Sequence, residues 1–413
     1  MAELQLKPRP FSFYAWLSLG LVFLAVFMHL YAIDRYSSGM PYRDDYDAIL
    51  DFLNAYPELR FPQNFLLLFS QSNEHRIVLD HLVSFVMVFL TGKFSFIWMI
   101  WIGNIGWFLL IYLFWKFAKQ SQVRFWEFSP IIIAMMCFSH HELMTMAMAA
   151  VQHYFQVFFC VLAIWLMTGN RPYLALTFFV FAIFTSGGGI CLVPVILLYY
   201  LWKKDWTNLV VSVTVIGMVF LVYFPLLGYV QNTSVPSPWV AIQSPLYLIV
   251  YAFGFLGGIG NLYKVSIALG LVFTVMLICH WKVLLTRYPF LFWLTAYLLV
   301  TAMTNAITRG SLGIRTGQGS RYTTYSLIFI SIVYFCCLLT SKDARTRYRV
   351  CLIGYFISIA MFAYWYAHGQ ESLIARFEVL ESGVVEHPFR QWPEQSLIRA
   401  SELGYYTPTR TPH

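Results

Sequence analysis

Apolar stretches of about 20 residues recur along the whole chain, separated by short polar breaks. A run of that length spans a bilayer as a helix, because hydrocarbon offers no partner for open backbone groups. The pattern predicts about eleven spans, near 11–33, 96–115, 128–147, 151–169, 172–185, 190–202, 206–229, 265–280, 288–307, 323–340 and 350–367. Two further apolar segments, 77–92 and 244–258, are short or flank the spans. The first span follows Lys7 and Arg9 as a signal sequence would. Its apolar core is too long for one and no small-residue cleavage site follows, so it reads as a retained anchor.

Charge decides the placement of the two short segments. If both cross, Lys116, Lys119 and Arg124 land outside, against the preference of Lys and Arg for cytoplasmic loops. If both lie at the outer interface, fourteen basic and four acidic residues gather on one side, against thirteen basic and fifteen acidic on the other. The second arrangement fits. Asp80 and His81 inside 77–92 support it, since an Asp at mid-bilayer costs about 3 kcal/mol on insertion scales. The N-terminus is then cytoplasmic and the C-terminus outside.

The expected fold is an all-α polytopic membrane protein. A single transmembrane domain occupies 1–368, with a first outer loop at 34–95, and an outer tail follows at 369–413. The first outer loop reads as two interfacial helices. One runs from Asp45 to Tyr56 with Ile49, Leu50, Phe52 and Leu53 on one side, ended by Pro57 and Pro62; the other spans Asn64 to Ser70.

Composition agrees: 59% of residues are hydrophobic, 19% aromatic and 11% charged, where a soluble enzyme carries roughly 25% charged. The seven cysteines fall in predicted spans without metal spacing, as packing residues do. The net charge of +8 reflects membrane orientation, and no nucleic-acid footprint or Walker motif appears. Cytoplasmic loops are short, so function is expected on the outer face.

Three polar clusters land there. Asp44, Asp45 and Asp47 join Glu74-His75-Arg76; His140-His141-Glu142 precedes Gln152, His153 and Gln156; Arg309, Arg315, Arg321 and Tyr322 share a Gly-rich loop. Each has a plainer reading. The aspartates suit a helix start. His140 and His141 diverge by ~100° on a helix, which favours a structural role over a metal pair. Any one arginine could anchor to lipid headgroups. Gly187-Gly188-Gly189 fits a tight turn between short spans better than a phosphate loop. Asn232-Thr233-Ser234 is a glycosylation sequon, without meaning in a bacterial host. Taken together, acids from separate loops beside arginines suit transfer from an anionic lipid donor. A carboxylate takes the acceptor proton and the arginines hold phosphate.

The layout resembles the GT-C superfamily of integral-membrane glycosyltransferases, which use lipid-phosphate-linked sugars. The matching elements are Asp44 and Asp45 in a long first outer loop with juxtamembrane helices, Glu142 at the next outer loop, and the late Arg-rich loop from Arg309 to Tyr322. It is similar, more narrowly, to bacterial members with a Glu-His-Arg motif, here Glu74-His75-Arg76, and a late stretch containing Arg309-Gly310 and Ser320-Arg321-Tyr322-Thr323-Thr324. The resemblance implies a polyprenyl-phosphate-sugar donor, a cell-envelope glycan or lipid acceptor, and periplasmic chemistry in the bacterial inner membrane. Asp45 is the expected general base with Asp44 as alternative, and Glu142 orients the acceptor or holds a metal. Arg309, Arg315, Arg321 and Tyr322 bind the donor phosphate, with Glu74, His75, Arg76 and His141 supporting. No cofactor is obligatory, and a divalent metal stays open. The rival classes are a transporter or flippase of lipid-linked sugars and a membrane scaffold without chemistry. A transporter would favour charges inside spans, inverted repeats and broken helices.

Overall fold

A computed structural model describes residues 13–230, 242–258, 263–383 and 393–408; Lys7, Arg9 and the Asn232-Thr233-Ser234 sequon lie outside the described residues. Their fold is all-α apart from one small hairpin, in which Gln71-Ser72 pairs antiparallel with His75-Arg76. Among the described residues seven helices are long and apolar enough to cross a membrane, and the chain is a polytopic membrane protein. They are Phe13–Tyr36, Phe96–Gln120, Ala147–Thr168, Trp206–Leu226, Pro289–Leu312, Ser320–Thr340 and Ala344–Glu381. Tyr263–Cys279 and Trp281–Arg287, bent by 62°, form an eighth if counted as one span.

The three remaining expected spans are short or broken helices. Pro172–Thr185 has 14 residues, about 21 Å at 1.5 Å per residue, and Leu192–Lys203 has 12. The expected 128–147 span is broken. Its helix stops at Met135 and gives way to a 3-10 turn at Phe138–His140 and a short helix at His141–Met144. Side chains take over the carbonyls that a continuing helix would have used. Trp107 Nε1 donates to the Met135 carbonyl at 2.9 Å, and Asn104 Nδ2 to that of Met144 at 3.1 Å. His29 Nδ1 lies 3.1 Å from the Met136 carbonyl. His140 belongs to the same break. It is fully buried, with Nδ1 2.6 Å from the Tyr154 hydroxyl and Nε2 3.2 Å from the Met135 carbonyl, a packing role rather than a metal one.

Both short apolar segments contact residues of the connecting loops. The Val78–Thr91 helix starts beside Arg76, whose N–H donates to the Tyr223 hydroxyl; after it, the Phe94 N–H donates to the Tyr405 carbonyl. The Tyr405 hydroxyl donates in turn to Asn54 in the first loop, and Phe52 of that loop stacks on His81. Pro245–Leu256 packs Phe255 against Tyr322, and the chain returns with Tyr263 under Arg315. Gly257 and Gly270 let it lie against the next helix: a Cβ at Gly257 would meet the Ser266 backbone, and one at Gly270 the Phe253 backbone.

The first loop folds as expected between Tyr46 and Ala55, a π-turn followed by a helix, with Ile49, Leu50, Phe52 and Leu53 all buried. The boundary expected at 368 falls inside the Ala344–Glu381 helix, which continues past it. Beyond, the Pro393–Glu402 helix packs back on the first loop. Ser396 Oγ donates to Asp51 at 2.6 Å, the Tyr406 hydroxyl to the Gly39 carbonyl at 2.7 Å, and Leu397 and Ala400 are buried.

Candidate functional site

The acidic run turns sharply into the protein. Arg43 takes a left-handed backbone conformation (φ 50°), strained for a side chain of its size, and leaves Asp44 half-buried and Asp45 buried. Each Asp45 carboxylate oxygen accepts a backbone N–H, from Tyr42 at 3.0 Å and from Met148 at 2.9 Å. Met148 lies in the first turn of Ala147–Thr168, where helix N–H groups lack helical partners. Asp45 therefore pins the loop to a helix start. Burial pushes its carboxyl up to about 7, helped by neighbouring Asp44, while the two amide bonds and Arg376 oppose the shift.

Asp80, on the Val78–Thr91 helix, is a further acid near Asp45. It is fully buried, neither carboxylate oxygen has a hydrogen-bond partner among the described residues, and the charge of Asp45 acts on it. Sequence showed an acid in an apolar helix but not which groups would surround it.

Glu142 stands beside the late loop. Its carboxylate is 3.7 Å from Arg321 Nε, and its backbone N–H donates to Ser320 Oγ at 3.0 Å. Arg376, unforeseen, donates to the Glu142 carbonyl at 3.2 Å and to Thr145 Oγ1 at 3.0 Å. Its guanidinium lies over the Tyr42 ring, 5.3 Å from the centroid, as does that of Arg43 at 4.9 Å. Asp44 and Tyr42 both act electrostatically on Arg321. Four separate segments thus bring Asp44, Glu142, Arg321 and Arg376 together. The Arg321 side chain remains 45% exposed and donates no hydrogen bond within 3.5 Å among the described residues.

A second group forms next to it. Arg309 Nη2 meets Glu74 Oε2 at 2.7 Å, and His75 Nε2 lies 3.9 Å from the same oxygen. Burial lowers the His75 imidazole below its usual range; Arg309 adds to this and Glu74 opposes it. His75 sits against Gly187, where a Cβ would lie 2.6 Å from Nδ1. The triple glycine is the tight turn expected, and it also lets His75 seat. His153 is close enough for both Arg321 and His75 to act on its charge.

The other expected residues have different surroundings. Arg76 is buried to 1% exposure, its guanidinium donating to the Phe69 carbonyl at 2.7 Å and twice to that of Tyr223, at 2.8 and 3.0 Å. It braces the hairpin. Arg315 is exposed over the Tyr263 ring. Tyr322 packs on Phe255, and His141 Nδ1 lies 3.3 Å from the Phe138 carbonyl. Among the described residues, no group of three or more His, Cys, Asp or Glu could hold a metal ion.

Chemically, the arrangement offers a half-buried carboxylate next to a guanidinium with unused donors. Comparisons with protein-family models, curated proteins and solved structures give no match for this chain.

Proposed function

We propose that the chain is a GT-C-type glycosyltransferase with eleven crossings, moving a sugar from a polyprenyl-phosphate donor to a cell-envelope glycan or lipid. The reaction takes place on the periplasmic side of a bacterial inner membrane. The observation that carries this reading is the convergence of Asp44, Glu142 and Arg321, with the guanidinium still open to an anion. Asp44 takes the role of general base. Asp45 is the poorer choice because both its oxygens are committed to backbone amides at 2% exposure. Glu142 orients the acceptor and keeps Arg321 in place. Arg321 is the main ligand of the donor phosphate; Arg309, half neutralised by Glu74, is secondary, and Arg315 meets lipid headgroups.

The direct test is transfer from a polyprenyl-phosphate sugar by the purified protein in nanodiscs. Arg321→Lys keeps the charge but loses the planar fork. We expect the rate to fall roughly 10- to 100-fold, the value of one or two charge-assisted hydrogen bonds. An unchanged KM and kcat would leave Arg321 as a membrane anchor only.

Sidedness is tested separately. In a Cys-free background, Asp47→Cys and Ser401→Cys, both at exposed positions, should react with an impermeant maleimide in intact cells. Gln120→Cys, Lys204→Cys and Arg345→Cys, also exposed, should react only after permeabilisation. Labelling of position 120 in intact cells would reverse the placement of the 77–92 segment.

A further inference from the structure

At the end of the bundle opposite the acids lies a cavity of about 550 Å³, between the ends of Phe96–Gln120 and Ala147–Thr168 and the junction before Pro289–Arg309. Its rim carries Lys116, Arg171 and Arg287, its walls include Phe117, Trp165 and Phe290, and no acidic residue lines it. Lys116 Nζ sits 5.0 Å from the Trp165 ring, a cation–π contact between two residues of the lining.

The acids at this end are engaged elsewhere. Glu127 takes Arg347 in two contacts, at 2.5 and 2.9 Å. Asp205 accepts from the Asn208 backbone and side chain, and Asp343 from the Thr346 backbone and hydroxyl. Glu3, the fourth, lies outside the described residues. Among the described residues, the three rim cations therefore have no carboxylate counterion.

Three positive charges above an aromatic floor at the membrane boundary suit one ligand class. A phosphate satisfies the cations, and a glycerol or acyl segment covers the rings. A soluble phosphate would leave those rings uncovered. We propose that this cavity binds the headgroup phosphate of an anionic membrane lipid. The proposal stands apart from the glycosyltransferase reading and survives its failure.

The test uses the full chain, delipidated in detergent and titrated with phosphatidylglycerol or phosphatidylcholine under native mass spectrometry. Phosphatidylglycerol should stay bound where phosphatidylcholine does not. Each cation removed should weaken it roughly fivefold, the equivalent of about 1 kcal/mol, so Lys116→Gln, Arg171→Gln and Arg287→Gln together cost roughly 100-fold. Lys203→Gln, Lys204→Gln and Lys282→Gln, an equal charge change at the same end but outside the cavity, should leave binding intact. Equal loss in both triple variants, or in neither, overturns the site. So does inorganic phosphate competing the lipid off at equal concentration, since that makes the ligand a soluble anion. A second measurement needs no variant: phosphatidylglycerol with a photoreactive headgroup should crosslink the wild-type chain within 112–121, 165–171 or 287–290. Crosslinks confined to other segments overturn the site equally.

Discussion

Asp44→Asn is expected to lower the transfer rate about 10²- to 10⁴-fold, the contribution of a general base, with the melting temperature unchanged. The substitution keeps size and shape at a half-buried position and removes the negative charge together with the proton affinity. Asp45→Asn should behave differently. An amide offers one acceptor where the carboxylate serves two N–H groups, from Tyr42 and Met148, so one N–H is left unpaired in a buried site. That costs about 1–3 kcal/mol in stability. It should also flatten a pH slope. The folded carboxyl titrates at about 7 against an ordinary 3.8, so its stabilising contribution is complete below about 3.8 and lost as pH rises through about 7. Transfer assays and thermal melts on both variants, from pH 5 to 8, check this. If Asp44→Asn keeps its rate while Asp45→Asn melts normally but is inactive, the base is Asp45 after all.

The largest stability effect should come from Arg76. Arg76→Met removes three hydrogen bonds to two carbonyls, Phe69 and Tyr223, that the fold has arranged around a buried guanidinium. At about 1–3 kcal/mol for each stranded acceptor, the loss is about 2–6 kcal/mol. Arg76→Lys should recover only part, because an ammonium cannot reproduce the fork. Urea unfolding in detergent measures it. A normally stable Arg76→Met protein that has lost transfer would mean the side chain serves a ligand rather than the hairpin.

Much of this architecture was legible in the sequence. Hydrophobic runs located the long helices. The break after Met135 was not legible. The apolar run continues through Met136, Cys137 and Phe138, and the carbonyls freed at the break are taken by donors, Trp107, His29 and Asn104, from distant parts of the chain. The site divides the same way. Local composition marked Asp44, Glu142 and Arg321, because charged residues are scarce in a chain this apolar. It did not mark Arg376, read as part of an outer tail, and it favoured Asp45 over Asp44 as the base, blind to the two amides that hold Asp45. Burial and pairing depend on which segment arrives opposite, and that is not a local property.

The clasp between the first loop and residues 393–406 also sets an order of assembly. Asn54 and Tyr405, joined by a hydrogen bond, are 351 residues apart. During synthesis the loop leaves the ribosome well ahead of its partner, at roughly 5–20 residues per second. For most of that interval the acid-bearing loop lacks the helix that covers Leu50 and Asn54. The acids therefore reach their final setting only after the bundle beneath them is inserted, and a nascent chain with every earlier helix in place still lacks this cover.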